Sequence, residues 1–173
     1  MAAAAPADPR GKSPRMSGRG FVEVDRNGLE ILNRTECFRL LATATIGRVG
    51  VTVGALPVIL PVNFRVVGDR IVFRTGIGTK LDAATSNAIV AFEVDAMEPF
   101  SHAGWSVVVT GEAGPASGPD RLAELEKANI PRWAPAGQDR IVELSTEIVT
   151  GRRIVPGLRL SAHDGDGRPE GPP

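Results

Sequence analysis

The sequence predicts a mainly β (α+β) domain, a small antiparallel barrel of six strands with two or three short helices. Three observations carry this. Valine-rich runs alternate with polar residues at a period of two. Glycine, proline and aspartate interrupt those runs at hairpin spacing. Only three stretches carry a helical period, and each is short.

Asn33-Arg34-Thr35-Glu36 has the form of a capping box, with Asn33 accepting from first-turn amides and Glu36 reaching back. It opens a helix over 34–42 with Phe38, Leu40 and Leu41 on its apolar side. Residues 48–53 then alternate, with Val49, Val51 and Val53 on one face of a half-buried strand. Residues 54–57 turn into a second strand over 58–64. Pro61 has no N–H to give, so this strand belongs at an edge or carries a bulge. Residues 67–70 form a hairpin turn into the third strand, 71–75. Gly76-Ile77-Gly78 breaks the sheet, and 79–84 supplies one or two helical turns. Residues 89–94 make the fourth strand, and 104–113, centred on Val107-Val108-Val109, a deeply buried fifth. A helix over 120–129 carries Leu122 and Leu125 on one side and ends at Pro131. In 140–150, Val142, Leu144, Thr146 and Ile148 alternate with Glu143, Ser145 and Glu147, giving a sixth strand. The expected connectivity is a series of sequential hairpins.

The chain has 173 residues, with 20 glycines and 14 prolines that gather toward its ends. Residues 1–20 and 161–173 hold too few large apolar side chains to offset the entropy of ordering them. They are expected to be disordered tails around one domain, 21–160. The N-terminal alanine run stops at Pro6, short of the roughly 7–15-residue apolar stretch an export signal needs. Twenty Lys+Arg balance twenty Asp+Glu. That balance argues against a nucleic-acid or anionic-membrane partner, which selects a basic excess. Cys37 is the single cysteine, so neither an intrachain disulfide nor a thiolate cage can form. His102 and His163 are the two histidines, and no metal site is expected. A cytoplasmic protein is the expectation.

The informative stretch is Ile71-Val72-Phe73-Arg74-Thr75-Gly76-Ile77-Gly78-Thr79-Lys80. It reads as a strand, a Gly-x-Gly loop and a helix start. First-turn amides lack helical partners and carry partial positive charge. The glycines let a ligand approach the backbone, Thr75 and Thr79 add hydroxyls, and Arg74 and Lys80 add charge. These are the parts of a cradle for one phosphate dianion. The spacing fits neither a Walker loop nor a dinucleotide fingerprint. The competing reading is an ordinary strand-to-helix turn with two solvated cations.

The order helix, strand, "LPVILPVNF", "GDRIVFRTGIGTKLDAATSNAIVAFEVD" and "GWSVVVTGEA" resembles the FMN-binding split-barrel family of pyridoxamine 5'-phosphate oxidase. It is most similar to the small actinobacterial and nitroimidazole-reductase-like members, over about residues 28–155. The resemblance implies a split β-barrel that forms a homodimer with FMN at the subunit interface. It implies that Pro61, Val62, Asn63 and Phe64 run along the flavin ring. Arg74, Thr75, Thr79 and Lys80 would hold the ribityl phosphate. Trp105 and Ser106 would approach the flavin, in some members from the partner subunit. Oxidases of vitamin B6 proper usually carry a second cation where this chain has Leu81, and a C-terminal Arg/Trp segment that it lacks, which argues against that substrate.

Asn63 interrupts an apolar strand, and a buried amide needs partners, either a flavin edge or the backbone beside a bulge. Trp105 and Trp133 are either core or pocket. His102 is the one imidazole inside the domain, available for proton transfer or haem ligation, against the plainer reading of an exposed loop. Cys37 reads as packing. No carboxylate pair or nucleophile set stands out, so no catalytic residue is assigned. The expected function is an FMN-dependent oxidoreductase acting on a small molecule. The alternatives are a reductase using the deazaflavin coenzyme, which the lack of a basic run disfavours, or a non-catalytic flavin- or haem-binding module.

Overall fold

The valine alternation sends Val49 and Val51 inward, 0% and 5% exposed, and turns Arg48 and Thr52 outward. The computed structural model describes residues 23–131 and 139–156. Its elements are β1 (Glu30–Leu32), α1 (Arg34–Leu41), β2 (Ile46–Val53), β3 (Leu56–Val67), β4 (Arg70–Gly76), α2 (Lys80–Ala84), β5 (Ala88–Glu98), β6 (Ala103–Pro115), α3 (Pro119–Lys127), β7 (Asp139–Leu144) and β8 (Ile148–Ile154). The tails expected at 1–20 and 161–173 lie outside the described residues, as does Trp133.

Every strand pairing is antiparallel. The order β6-β5-β2-β3-β4-β7 closes on itself through a β6–β7 pairing, giving a ring of six strands. β8 and then β1 continue from β6 outside the ring. β6 serves both arms: Gly104–Thr110 pair with β8, and Ala113–Pro115 with β7. Gly111 lies at the changeover, where a Cβ would sit 2.2 Å from the Ser145 carbonyl oxygen.

The structure corrects the sequence reading in four places. The expected single strand over 140–150 is two, β7 and β8. Its alternation runs unbroken, but Thr146 is pinned between them: its Oγ1 donates to Asp69 O at 2.6 Å, and Arg34 donates to its carbonyl and hydroxyl oxygens, each at 2.7 Å. Three-residue β1 is too short to show a period. Sequential hairpins hold for β2–β3, β3–β4 and β5–β6, but β5 returns to pair with β2 after α2. Leu122 is 38% exposed, and Leu125 alone of that helical pair is buried.

The main core fills the ring and the cleft under α1, where Cys37, Leu40 and Leu41 pack. A second cluster of Val72, Leu125, Ile130 and Ile141 fixes α3 against β4 and β7. β3 pairs with β2 over Leu56–Asn63 and with β4 only over Phe64–Val67. Among the described residues, the 56–63 stretch is therefore an edge. Pro57 and Pro61 lie on it, where a missing N–H costs no ladder bond.

The capping box is half formed. Asn33 Oδ1 accepts from the Glu36 amide at 2.9 Å, but the Glu36 carboxylate turns to Arg39 and Arg153. These guanidiniums, Arg39 first, lower its pKa from 4.5 to about 2. A lowered carboxylate pKa adds stability that is present above 4.5 and fades as pH falls toward 2. Glu36→Gln is expected to flatten the acid limb in that window and leave the neutral-to-alkaline profile parallel to wild type, read as urea midpoints against pH.

Candidate functional site

β4 ends where the glycines begin. Thr75 faces Arg140 of β7, and Gly76 faces Asp139. The Thr79 amide donates to Gly76 O at 3.2 Å, closing a tight loop. Thr75 is 3% exposed, and its Oγ1 lies 3.1 Å from Thr79 Oγ1. Thr79 caps α2 by accepting from the Asp82 amide at 3.1 Å. Gly78 has φ +77°, and a Cβ built on it would find nothing within 4 Å. The loop thus presents open space over a backbone that a side-chain-bearing residue would adopt only with strain.

Asp82 and Arg140 are the residues that sequence reasoning missed. Asp82 is 7% exposed, and its Oδ2 accepts from the Gly78 amide at 3.0 Å. A guanidinium nitrogen of Arg140 lies 3.2 Å from its Oδ1. The signal was present: Thr79-Lys80-Leu81-Asp82 has the spacing of a capping box. Arg140 carried no local signal, because only strand pairing brings it here.

Arg74 is close by and heavily engaged. Its side chain is 8% exposed, one terminal nitrogen donates to Asp139 at 3.0 Å, and the other donates to Glu126 of α3. Its Nε is buried without a hydrogen-bond partner. Lys80 opens α2; its side chain lies outside the described part of the structure.

The β3 residues divide by parity. Val62 (2% exposed) and Phe64 (0%) point into the core, the latter edge-to-face on Phe92 at 4.9 Å. They offer a ligand only their backbone, and the Phe64 N–H is already given to Thr45 O. Pro61 is exposed and Asn63 half-buried. Asn63 Nδ2 donates to Pro131 O at 3.2 Å, so its amide ties the β3 edge to the chain after α3. The structure brings Thr75, Thr79 and the backbone of Lys80 together; Arg74, next to Thr75 in β4, is held toward the α3 face by Glu126 and Asp139.

It does not bring Trp105 and Ser106 to that corner within one chain. They face Ala96 and Asp95 on β5, and Arg153 and Arg152 on β8. They lie at the start of β6, eight residues and about 25 Å along the strand from Ala113, where β6 meets β7. Trp105 is half-buried against the main core. His102 is exposed in the β5–β6 turn at φ +51°. Cys37 is fully buried, and that burial raises its thiol pKa. Among the described residues, no three His, Cys, Asp or Glu side chains are placed to hold a metal ion. No described helix is long and apolar enough to cross a membrane.

A ring of six antiparallel strands with a two-strand extension, three short helices and a glycine corner at the end of β4 defines a small split-barrel protein. The chain belongs to the pyridoxamine 5'-phosphate oxidase family, whose model matches residues 33–153. It is 40% identical over 155 residues to an uncharacterized protein of Mycobacterium tuberculosis, covering 87% of this chain and 95% of that one. Among solved structures it is similar to the FAD binding protein from Mycobacterium smegmatis. That match has 37% identity and a TM-score of 0.65, over 72% of this chain and 99% of the other. It is also similar to a putative pyridoxamine 5'-phosphate oxidase from Corynebacterium glutamicum, with 32% identity and a TM-score of 0.65, over 73% of this chain and 98% of that one.

Proposed function

We propose that this protein is a flavin-dependent oxidoreductase acting on a small molecule, with FMN held at the Gly76–Lys80 corner. The observation that carries the reading is the pair of hydroxyls, Thr75 and Thr79, 3.1 Å apart beside the open Gly78 backbone. Arg140 stands opposite Thr75 on β7, and Arg74 and Lys80 are the further cations of the stretch. This donor set fits a phosphate ester. The flavin, when bound, supplies hydride and electron transfer. The protein's share is to grip the phosphate with Thr75, Thr79, Lys80 and Arg74 and to set the ring against the β3 edge. There Pro61 and Asn63 present side chains, and Val62 and Phe64 present backbone. Reduction of a small acceptor from a nicotinamide donor is the reaction class proposed. The chain assigns no catalytic side chain, so binding without turnover is the alternative within the same site.

A homodimer belongs to this reading. The outer sheet face carries a cross-strand row, Ile59, Gly50, Ala91, Thr110 and Ile148. Ile59 and Ile148 are 71% and 58% exposed at its ends, and the residues between them are small. A row of small residues ended by two exposed isoleucines suits a second copy, which would bring a second chain's Trp105 and Ser106 to the cofactor. A cytoplasmic location goes with nicotinamide-linked chemistry.

FAD is a second reading, favoured by the name of the similar Mycobacterium smegmatis protein. The absorbance of the purified protein, followed by titration with FMN and FAD, tests both. Flavin bands near 375 and 450 nm are expected, against one band near 420 nm for the deazaflavin coenzyme or a Soret band for haem. Protein that takes up no flavin overturns the proposal.

A further inference from the structure

A dianion and a buried carboxylate repel one another unless a cation offsets one of them. Asp82 brings such a carboxylate into the Gly76–Lys80 loop, where its Oδ2 takes the Gly78 amide. Its Oδ1 is buried with no hydrogen-bond partner. Among the described residues, the cation within ion-pair distance of that oxygen is Arg140, at 3.2 Å. Arg140 reaches it because the β4–β7 register sets it opposite Thr75. Its neighbour Asp139 faces Gly76 and pairs with Arg74. Two consecutive β7 residues thus serve the two faces of the strand: Asp139 takes up Arg74 on the α3 side, and Arg140 offsets Asp82 on the loop side.

We propose that Arg140 is a positioning residue of this corner, which cancels the charge of Asp82 so that the loop accepts a phosphate ester. The inference rests on the flavin reading above. Asp82 cannot be replaced freely, because its Oδ2 bond to Gly78 holds the loop in its open left-handed shape. Arg140 reconciles the two demands, loop shape and anion binding, and acts through Asp82 rather than on the ligand.

The test titrates the full-length protein with FMN and with riboflavin, which lacks the phosphate, by quenching of flavin fluorescence. Wild type is expected to bind FMN more tightly than riboflavin. Arg140→Gln lowers FMN affinity about tenfold or more and leaves riboflavin affinity unchanged. Asp82→Asn keeps an acceptor for the Gly78 amide without the charge, so Asp82→Asn/Arg140→Gln regains the FMN affinity that Arg140→Gln forfeits. Full FMN affinity in Arg140→Gln, a weakening shared equally by riboflavin, or a weakening that Asp82→Asn fails to reverse overturns the assignment alone. A wild-type protein that does not distinguish FMN from riboflavin overturns the phosphate reading and this assignment with it.

Discussion

Gly111→Ala is expected to destabilise the fold by about 3–5 kcal/mol, a large part of the roughly 5–15 kcal/mol that holds a domain of this size together. The added Cβ would lie 2.2 Å from the Ser145 carbonyl oxygen, 2.6 Å from its Oγ and 2.9 Å from its carbonyl carbon. Two of those atoms are backbone, so a rotamer change cannot relieve the clash. Nor can Ser145 retreat. Its amide donates to Glu112 O at 2.9 Å, and its Oγ accepts from the Glu112 amide at 2.9 Å. The next residue, Thr146, is bound to Arg34 and Asp69. Relief therefore costs hydrogen bonds at the point where β6 changes partners. Gly50→Ala is the control, since its Cβ would meet Ala91 Cβ at 3.6 Å, an ordinary contact. Equilibrium urea unfolding of both variants checks the contrast. A Gly111→Ala protein within about 1 kcal/mol of Gly50→Ala would show that the strand junction yields more readily than its bonding implies.

The second large effect concerns the cofactor. Arg74→Ala/Lys80→Ala is expected to weaken FMN binding by about 10²- to 10⁴-fold, from two charge-assisted hydrogen bonds of roughly 1.5–3 kcal/mol each. Arg74 is also structural: its removal leaves Asp139, 19% exposed, and Glu126 without that guanidinium. The melting temperature will fall for that reason alone. Riboflavin separates the two roles. A weaker grip on the phosphate lowers FMN affinity and spares riboflavin, whereas a loosened corner lowers both. Unchanged FMN affinity in a folded double variant refutes the phosphate assignment.

Much of the fold was legible because periodicity reports burial. The alternation that marked 48–53 is the alternation of core and surface in β2, and the valine run that marked 104–113 is β6, where Val107 and Val109 are buried and Val108 between them is half-buried. Pro61 marked an edge that the pairing of β3 bears out. What escaped was set by tertiary contact. Nothing local in Ser145-Thr146-Glu147 announces a strand break, because the break is made by Arg34 and Asp69, distant in sequence. The candidate corner was legible as a strand, glycines, hydroxyls and cations. Its carboxylate was not, although the Thr79–Asp82 spacing pointed to it. Arg140 was unreadable, since its place depends on the β4–β7 register. Strand parity sends the side chains of Val62 and Phe64 into the core, so along a flavin ring they offer backbone and Pro61 and Asn63 offer side chains.

The seam that closes the ring is short, only Ala113–Pro115 against Val142–Leu144. Every other neighbour relation runs on through the order β1-β8-β6-β5-β2-β3-β4-β7. Unfastening that seam turns a cylinder into one uninterrupted eight-stranded ribbon and breaks no other ladder. Parting it would wet the core that fills the cylinder and forfeit the flanking Ser145–Glu112 and Ala116–Ile141 bonds, so a closure of three residue pairs is held by what lies behind it as much as by its own ladder.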